Sequence, residues 1–593
     1  MLVRRAVIAR NPARANDGSS PDERTRRRGG SADASAFLGS NRVDGRRRGQ
    51  FPSGASSGQS FPERDFRHAL TGAQVPVVRY RRVDVRGFPG PIRPQPPSSA
   101  RAATTIRISK RCVIDAHWAS RLHRADGGRV PMEAMEPAEG LIAGSQHPKL
   151  RIVATDTPAH YRSLVLYEIF VRNHGAHGTL TDVESDLSRI RQMGVDVIWL
   201  MPIHPIGETH RKGALGSPYS ISDYFEVNPE YGSKKDLARL VKRAHDLGLK
   251  VMFDMVFNHT AHNAVLRRKH PEWYQVRARG VMPDWTDVAP LDLAAPGLAE
   301  YLLEILQYWA RFGADGFRCD VAAWFPLSFW RKARRVVRAV RPGIIWLGES
   351  PLIVSVAEFR EAGFSVLSDG ELYQAFDILY DQDHLSAWTT AVKGKLPVTR
   401  YLELIRLQDC IYPANFVKMR FVENHDRPRI MSLAGSRARA MAWTAFQAFN
   451  KGAFLIYAGQ ESMAKHRPSL FDRDPIQWDG YALAPFLTAL AELKKDPAVA
   501  AGRFVLLKGE PAICAAWQWK ERTLYGIFNV QSVRGRIGVD IPDGSFVDLL
   551  SGAEIKIRSG QTTIPPSACI FVFVGPLKTK SFYSYALDYL SHP

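Results

Sequence analysis

Two periods of hydrophobic residues alternate along the chain from Leu164 onward. Short apolar runs of strand length are followed by longer segments in which apolar residues recur every three or four positions, the pattern of strands exchanging with amphipathic helices in a parallel α/β sheet. LVLYEIFV (164–171) predicts a first strand and DVESDLSRIRQMG (182–194) a first helix closed by Gly194. VDVIWLMP (195–202) predicts a second strand, and SKKDLARLVKRAHDLG (233–248) a second helix with Ser233 as N-cap and Gly248 beyond its end. Six further strands are expected at KVMFDMVF (250–257), ADGFRCD (314–320), GIIWLGES (343–350), FSVLSD (364–369), VKMRFVEN (417–424) and GAFLIYAG (452–459). Eight strand-like units in series are the count of a closed (β/α)8 TIM barrel, an α/β fold.

The segment between the third strand and its helix, His259 to Leu293, exceeds an ordinary βα loop and predicts a functional insertion over 260–293. Beyond residue 498 the pattern changes to short alternating runs between turns: FVLLKG, AICAAWQW, TLYGIFNV, RIGVDIP, SFVDLL and CIFVFVG. These predict an antiparallel C-terminal β-sandwich domain over 499–577, after a catalytic barrel over 160–498.

The 593 residues carry a formal charge of +21, which suggests a polyanion partner until it is divided. Residues 1–130 hold 26 Lys and Arg against 10 Asp and Glu, and all but Lys110 of the basic residues are Arg; the remaining 463 hold 54 against 49. The basicity therefore belongs to an Arg-, Gly-, Ser- and Pro-rich segment, 1–145, without sustained helical or strand period. A disordered extension is expected there, with Met132 or Met135 as alternative starts, and no nucleic-acid partner is expected of the rest. No apolar run approaches the roughly 20 residues that span a bilayer, and the opening residues lack the apolar core of a secretory signal, so no membrane partner and a cytoplasmic location are expected. Cys112, Cys319, Cys410, Cys514 and Cys569 show neither CxxC nor regular spacing, consistent with reduced thiols.

Four predicted strands stop abruptly on polar residues: DMVFNH (254–259), GFRCDVA (316–322), GES around Glu349, and FVENHD (421–426). In a barrel of this kind the C-terminal strand ends meet on one rim. Side chains alternate along a strand, so Arg318 and Asp320 share the polar face while Phe317 and Cys319 turn to the helix layer. An Arg neighbour lowers a carboxyl pKa, which would keep Asp320 ionised as a nucleophile. Glu349 follows the apolar run IIWLG, an environment that raises a carboxyl pKa and suits a general acid and base.

These four blocks, in this order, together with SPYSISDYFEVNPEYGS (217–233), resemble the α-amylase family of glycoside hydrolases over roughly residues 160–575. The resemblance implies a retaining enzyme that cleaves α-glucosidic bonds of starch- or glycogen-type oligosaccharides, and so an α-glucan oligosaccharide or polysaccharide substrate. It implies Asp320 as nucleophile, Glu349 as acid and base, and Asp426 as the third acid, binding sugar hydroxyls. It also implies that His259 and His425 bond the sugar at the cleavage point, that Tyr219 stacks on it, and that Asp254 orders the site around Arg318. No cofactor is required; Asn258 matches a position that contributes to a calcium site in the family, and Ca2+ is the one metal ion the resemblance brings forward. A retaining mechanism sets the two reacting carboxyl groups about 5 to 5.5 Å apart. Three rivals stay open at this point: a transglycosylase or sugar-isomerising relative with the same triad, a non-catalytic carbohydrate-binding or scaffold protein, and nucleic-acid binding through the Arg-rich start. Trp and Tyr of HPEWY (270–274) and MPDW (282–285) are candidates both for sugar platforms and for anchors of the insertion.

Overall fold

The computed structural model describes residues 157–276, 284–575 and 577, so the expectations for residues 1–145 lie outside the described residues. Eight parallel strands close a barrel: β1 Val165–Ile169, β2 Val197–Leu200, β3 Lys250–Met255, β6 Gly316–Cys319, β7 Ile345–Gly348, β8 Ile378–Tyr380, β9 Lys418–Arg420 and β10 Ala453–Tyr457. Around it they run in chain order, with β10 hydrogen-bonded back to β1 through Val165 opposite Phe454. In the insertion β4 His259–Ala261 and β5 Val288–Pro290 form a small antiparallel pair.

Alternation along each strand divides the core in two. Leu166, Val197, Trp199, Met252, Leu347, Tyr380, Met419 and Leu455 fill the barrel interior. Their neighbours Tyr167, Ile198, Phe253, Phe317 and Cys319 pack outward against the helices. Cys319 is thus a small buried hydrophobe, its thiol pKa pushed well up by burial. The helix Lys234–Asp246 starts on Ser233, whose hydroxyl accepts from Asp236 N–H while the Asp236 carboxylate accepts from Ser233 N–H. Gly194 and Gly248 stand at φ +85° and +73° just past their helices, the left-handed position that favours glycine.

One predicted strand is wrong. FSVLSD (364–369) forms no strand; Val366 packs into the outer core, and Ser368 opens the short helix Asp369–Leu372 through a capping box with Glu371. The sixth barrel strand is β8, three residues hidden in the run AFDILYD. FSVLSD mimicked a strand end because a capping Ser-Asp after an apolar run looks the same in sequence as the polar terminus of a strand.

C-terminal to the barrel, β11 Arg503–Lys508, β12 Ile513–Trp519, β13 Arg522–Phe528 and β18 Ala568–Val574 form an antiparallel sheet. β14 Arg536–Gly538 pairs with β17 Gln561–Thr563, and β15 Gly544–Val547 with β16 Glu554–Ile557. One face of the four-stranded sheet, with Cys514, Ala516, Tyr525, Ile527 and Phe571, packs against Ile537, Ile541 and Ile557 of these hairpins, giving the sandwich. The other face docks on the barrel helix Arg437–Phe449: Phe528 lies 5.5 Å from Phe446 and 5.3 Å from Phe449, and Trp517 Nε1 donates to the Phe449 carbonyl at 2.7 Å. No helix among the described residues is long and apolar enough to cross a membrane.

Candidate active site

Arg318 is the hub of the rim. Penultimate in β6 and fully buried, it points into the barrel mouth, as alternation requires. Its Nη1 donates to Asp254 Oδ1 at 2.9 Å and to Asp320 Oδ1 at 2.7 Å, its Nη2 to Glu349 Oε2 at 2.9 Å, and its Nε to Tyr380 Oη at 3.1 Å. The rings of Trp199 and Tyr380 each stand 5.4 Å from the guanidinium carbon. Three strand ends, β3, β6 and β7, therefore place their carboxylates on one planar cation, whose separate nitrogens bond them from different sides of the fork.

His425 is the second hub. Nε2 lies 2.8 Å from Tyr219 Oη and 3.1 Å from Asp426 Oδ2, and Nδ1 is bonded to Glu168 at the end of β1. The Tyr219 hydroxyl donates onward to Asp254 Oδ2 at 3.2 Å, which joins the two hubs, and the Tyr219 ring stacks on His425 at 5.4 Å between centroids. Asp320, Glu349, Asp426, Asp254, Arg318, Tyr219 and His425 are thus brought together. His259 stands beside them at the start of the insertion, buried, with its Nε2 unpartnered and the ring of Trp285 5.3 Å away.

The expected electrostatics are reversed for two acids. Arg318 serves Glu349 as well as Asp320 and Asp254, so its charge is shared by three carboxylates. Burial, then the neighbouring charges of Glu349 and Asp254, outweigh Arg318 and hold Asp320 well above the usual carboxylate range. Burial also pushes Asp254 up, to about 6. For Glu349 burial acts upward too, while Arg318 first, and the Val321 N–H 3.0 Å from Oε2, act downward, and the group stands below its ordinary value. Sequence showed the apolar run before Glu349 and not the two donors facing it. Burial lowers His259 to about 4, leaving it neutral. Burial opposes charge on His425, yet Asp426 and Glu168 raise it to about 10, and the same contact holds Asp426 far below the carboxylate range despite burial.

Asn258, the position the resemblance brings forward for calcium, is buried beside His259. Its side-chain nitrogen lies 3.4 Å from His259 Nδ1, and its main-chain carbonyl accepts from Leu291 N–H at 3.1 Å. Among the described residues no group of three or more His, Cys, Asp or Glu is placed to hold a metal ion. Of the insertion aromatics, Trp273 donates to the Pro296 carbonyl at 3.0 Å and Tyr274 bonds Thr260 at 2.8 Å, so both anchor the insertion. Trp285, by contrast, sets its ring 5.3 Å from that of His259.

Sequence reading missed Glu168, Trp199, Tyr380 and Arg427. Glu168 and Trp199 share an inward face with Leu166 and Val197, a signal that alternation supplied. Tyr380 was hidden with its strand. Arg427 sits within charge range of Asp426 and Glu349 with a buried, unpartnered Nε, and burial lowers its pKa.

With this geometry in place, the family model for the alpha-amylase catalytic domain matches residues 152–280 and 281–501, and that for the bacterial alpha-amylase C-terminal domain matches 505–571. The chain belongs to the alpha-amylase family. A solved alpha-amylase from Lactobacillus plantarum is 39% identical with a TM-score of 0.68, over 70% of this chain and 100% of its own. A maltogenic alpha-amylase from Thermotoga neapolitana is 31% identical with a TM-score of 0.62, over 70% and 99%. An alpha-amylase of Haloarcula japonica is 29% identical over 371 residues, 58% of this chain and 51% of its own. A maltose-1-phosphate maltosyltransferase of Salinibacter ruber is 32% identical over 225 residues, 32% and 34% of the respective chains. The chain thus spans about half or less of these two curated relatives of the alpha-amylase family.

Proposed function

We propose that this chain is a retaining glycoside hydrolase acting on the α-glucosidic bonds of starch- or glycogen-type oligosaccharides. The observation that carries the reading is the convergence of Asp320 and Glu349 on one guanidinium, with Asp426 beside them through His425 and Tyr219. Two carboxyls on one Arg fork suit the about 5 to 5.5 Å spacing of retaining enzymes.

In this mechanism Asp320 attacks the anomeric carbon as Glu349 protonates the departing glycosidic oxygen; the glycosyl–Asp320 ester is then cleaved by water that Glu349 deprotonates. The chemistry needs Asp320 ionised to attack and Glu349 protonated to donate. A glycosidic oxygen at Glu349 can only accept a hydrogen bond, which favours the proton on Glu349, while Arg318 remains a donor to an ionised Asp320. Asp426, kept ionised by His425, accepts from sugar hydroxyls, and the unpartnered His259 Nε2 is free to meet another.

The Asp320→Asn variant is expected to lose at least about a thousandfold in kcat on maltoheptaose. Undiminished hydrolysis would remove Asp320 from the chemistry. The maltosyltransferase similarity favours one second reading, transfer of the glycosyl group to another sugar. The wild-type product profile separates the two, since transfer makes oligosaccharides longer than the substrate and hydrolysis makes only shorter ones.

A further inference from the structure

Glu168 is a buried carboxylate to which the mechanism above gives no part. It sits near the end of β1, faces the barrel interior with Leu166, and has no exposure to solvent. One oxygen is bonded to His425 Nδ1; the other, Oε2, is enclosed and without a partner. A glutamine of the same shape would satisfy Nδ1 equally well as a neutral acceptor, so the charge is the feature to be explained.

Both nitrogens of His425 face oxygen acceptors. Nδ1 meets Glu168, and Nε2 meets Asp426 Oδ2 at 3.1 Å and the Tyr219 hydroxyl at 2.8 Å. A neutral imidazole has one N–H and one lone pair, and would turn that lone pair on a carboxylate. Only the imidazolium donates on both sides. The Tyr219 hydroxyl then accepts from Nε2 and passes its own proton to Asp254 Oδ2 at 3.2 Å. Among the described residues no further acceptor is bonded to His425: the Trp199 ring stands edge-on at 5.9 Å, and Arg318, 5.7 Å from the Tyr219 ring, offers only donors. Tyr380 on β8 and Tyr457 on β10 are neutral phenols within the field of Glu168, and Arg427 lies within that of Asp426.

We propose that Glu168 is a positioning residue that keeps His425 as an imidazolium, so that the site has a second fixed cation which holds Asp426 ionised and aimed at the sugar. The value of that cation to catalysis rests on the role given to Asp426 above; the protonation state itself does not.

The test is a 15N-histidine NMR titration of wild type and Glu168→Gln, with His425→Gln used to assign the resonance. At about pH 8 the wild-type His425 is expected to show two protonated nitrogens, and Glu168→Gln is expected to lose one of them at a pH lower by about one unit or more. On maltoheptaose at the same pH, Glu168→Gln should lose about tenfold or more in kcat with KM changed by less than about threefold, and Glu168→Asp should recover part of the loss. A wild-type His425 that is neutral at about pH 8, or a Glu168→Gln variant that keeps both protons over the wild-type range, overturns the proposal. The wild-type spectrum alone decides the first point if the variant does not fold. The NMR result is independent of turnover, so an inactive or transferring protein with the expected titration would fault the functional reading and leave Glu168 in its role.

Discussion

Arg318 neutralises one charge and bonds three carboxylates, so its replacement should be felt beyond catalysis. Arg318→Lys keeps the charge but loses the fork, leaving at least one buried acid without its donor; a loss of about 3 to 5 kcal/mol is expected in urea unfolding, together with loss of activity. His425 gives the site its pH signature. Its folded pKa of about 10 lies above its ordinary 6.5, so its contribution to stability is complete below about pH 6.5 and is lost as pH rises toward 10. The melting temperature is therefore expected to fall between pH 7 and 10, and His425→Gln should flatten that fall. At this scale the sequence showed which acids end strands, because a polar residue after an apolar run is visible in one dimension. It did not show their titration, because that depends on donors from other strands: the Val321 N–H and Arg318 face Glu349, and Glu168 faces His425.

Elements with strong local signals were legible, among them the three-residue β9 within the run VKMRFVEN, and those without were not. The helix after Ser233 was found through its cap and its closing glycine, and removing that cap by Ser233→Ala should cost about 1 kcal/mol in thermal unfolding. β8, with three residues, has too few positions for a period to show, and its place was taken by FSVLSD, whose apolar residues serve the outer core instead. Gly452, at the entry to β10, shows how tightly the barrel is registered. It stands at φ +143°, and a Cβ there would come within 2.2 Å of the Lys418 carbonyl on β9. Gly452→Ala should destabilise by more than about 1 kcal/mol and, by shifting β9, also disturb the loop that bears Asp426. Normal stability and activity in that variant would show that the two strands can part without cost.

For the molecule as a whole, the alternation of β12 divides its side chains between two partners. Cys514 and Ala516 belong to the sandwich, while Ile513, Ala515 and Trp517 belong to the barrel layer. The number and order of the C-terminal strands were legible, except for the short β16 and β17, but not this double burial, because a continuous apolar run gives no sign of which face meets which neighbour. The helix that receives the sheet, Arg437–Phe449, lies between the Asp426 loop and β10 in the chain. Anyone trimming this protein to a minimal catalyst by cutting after Gly502 would therefore uncover Phe446 and Phe449 on the helix flank, and light scattering should report clumping where the intact chain stays dispersed. The appendage is a lid on the barrel's own grease, and a workable miniature would need that flank repainted with polar residues first.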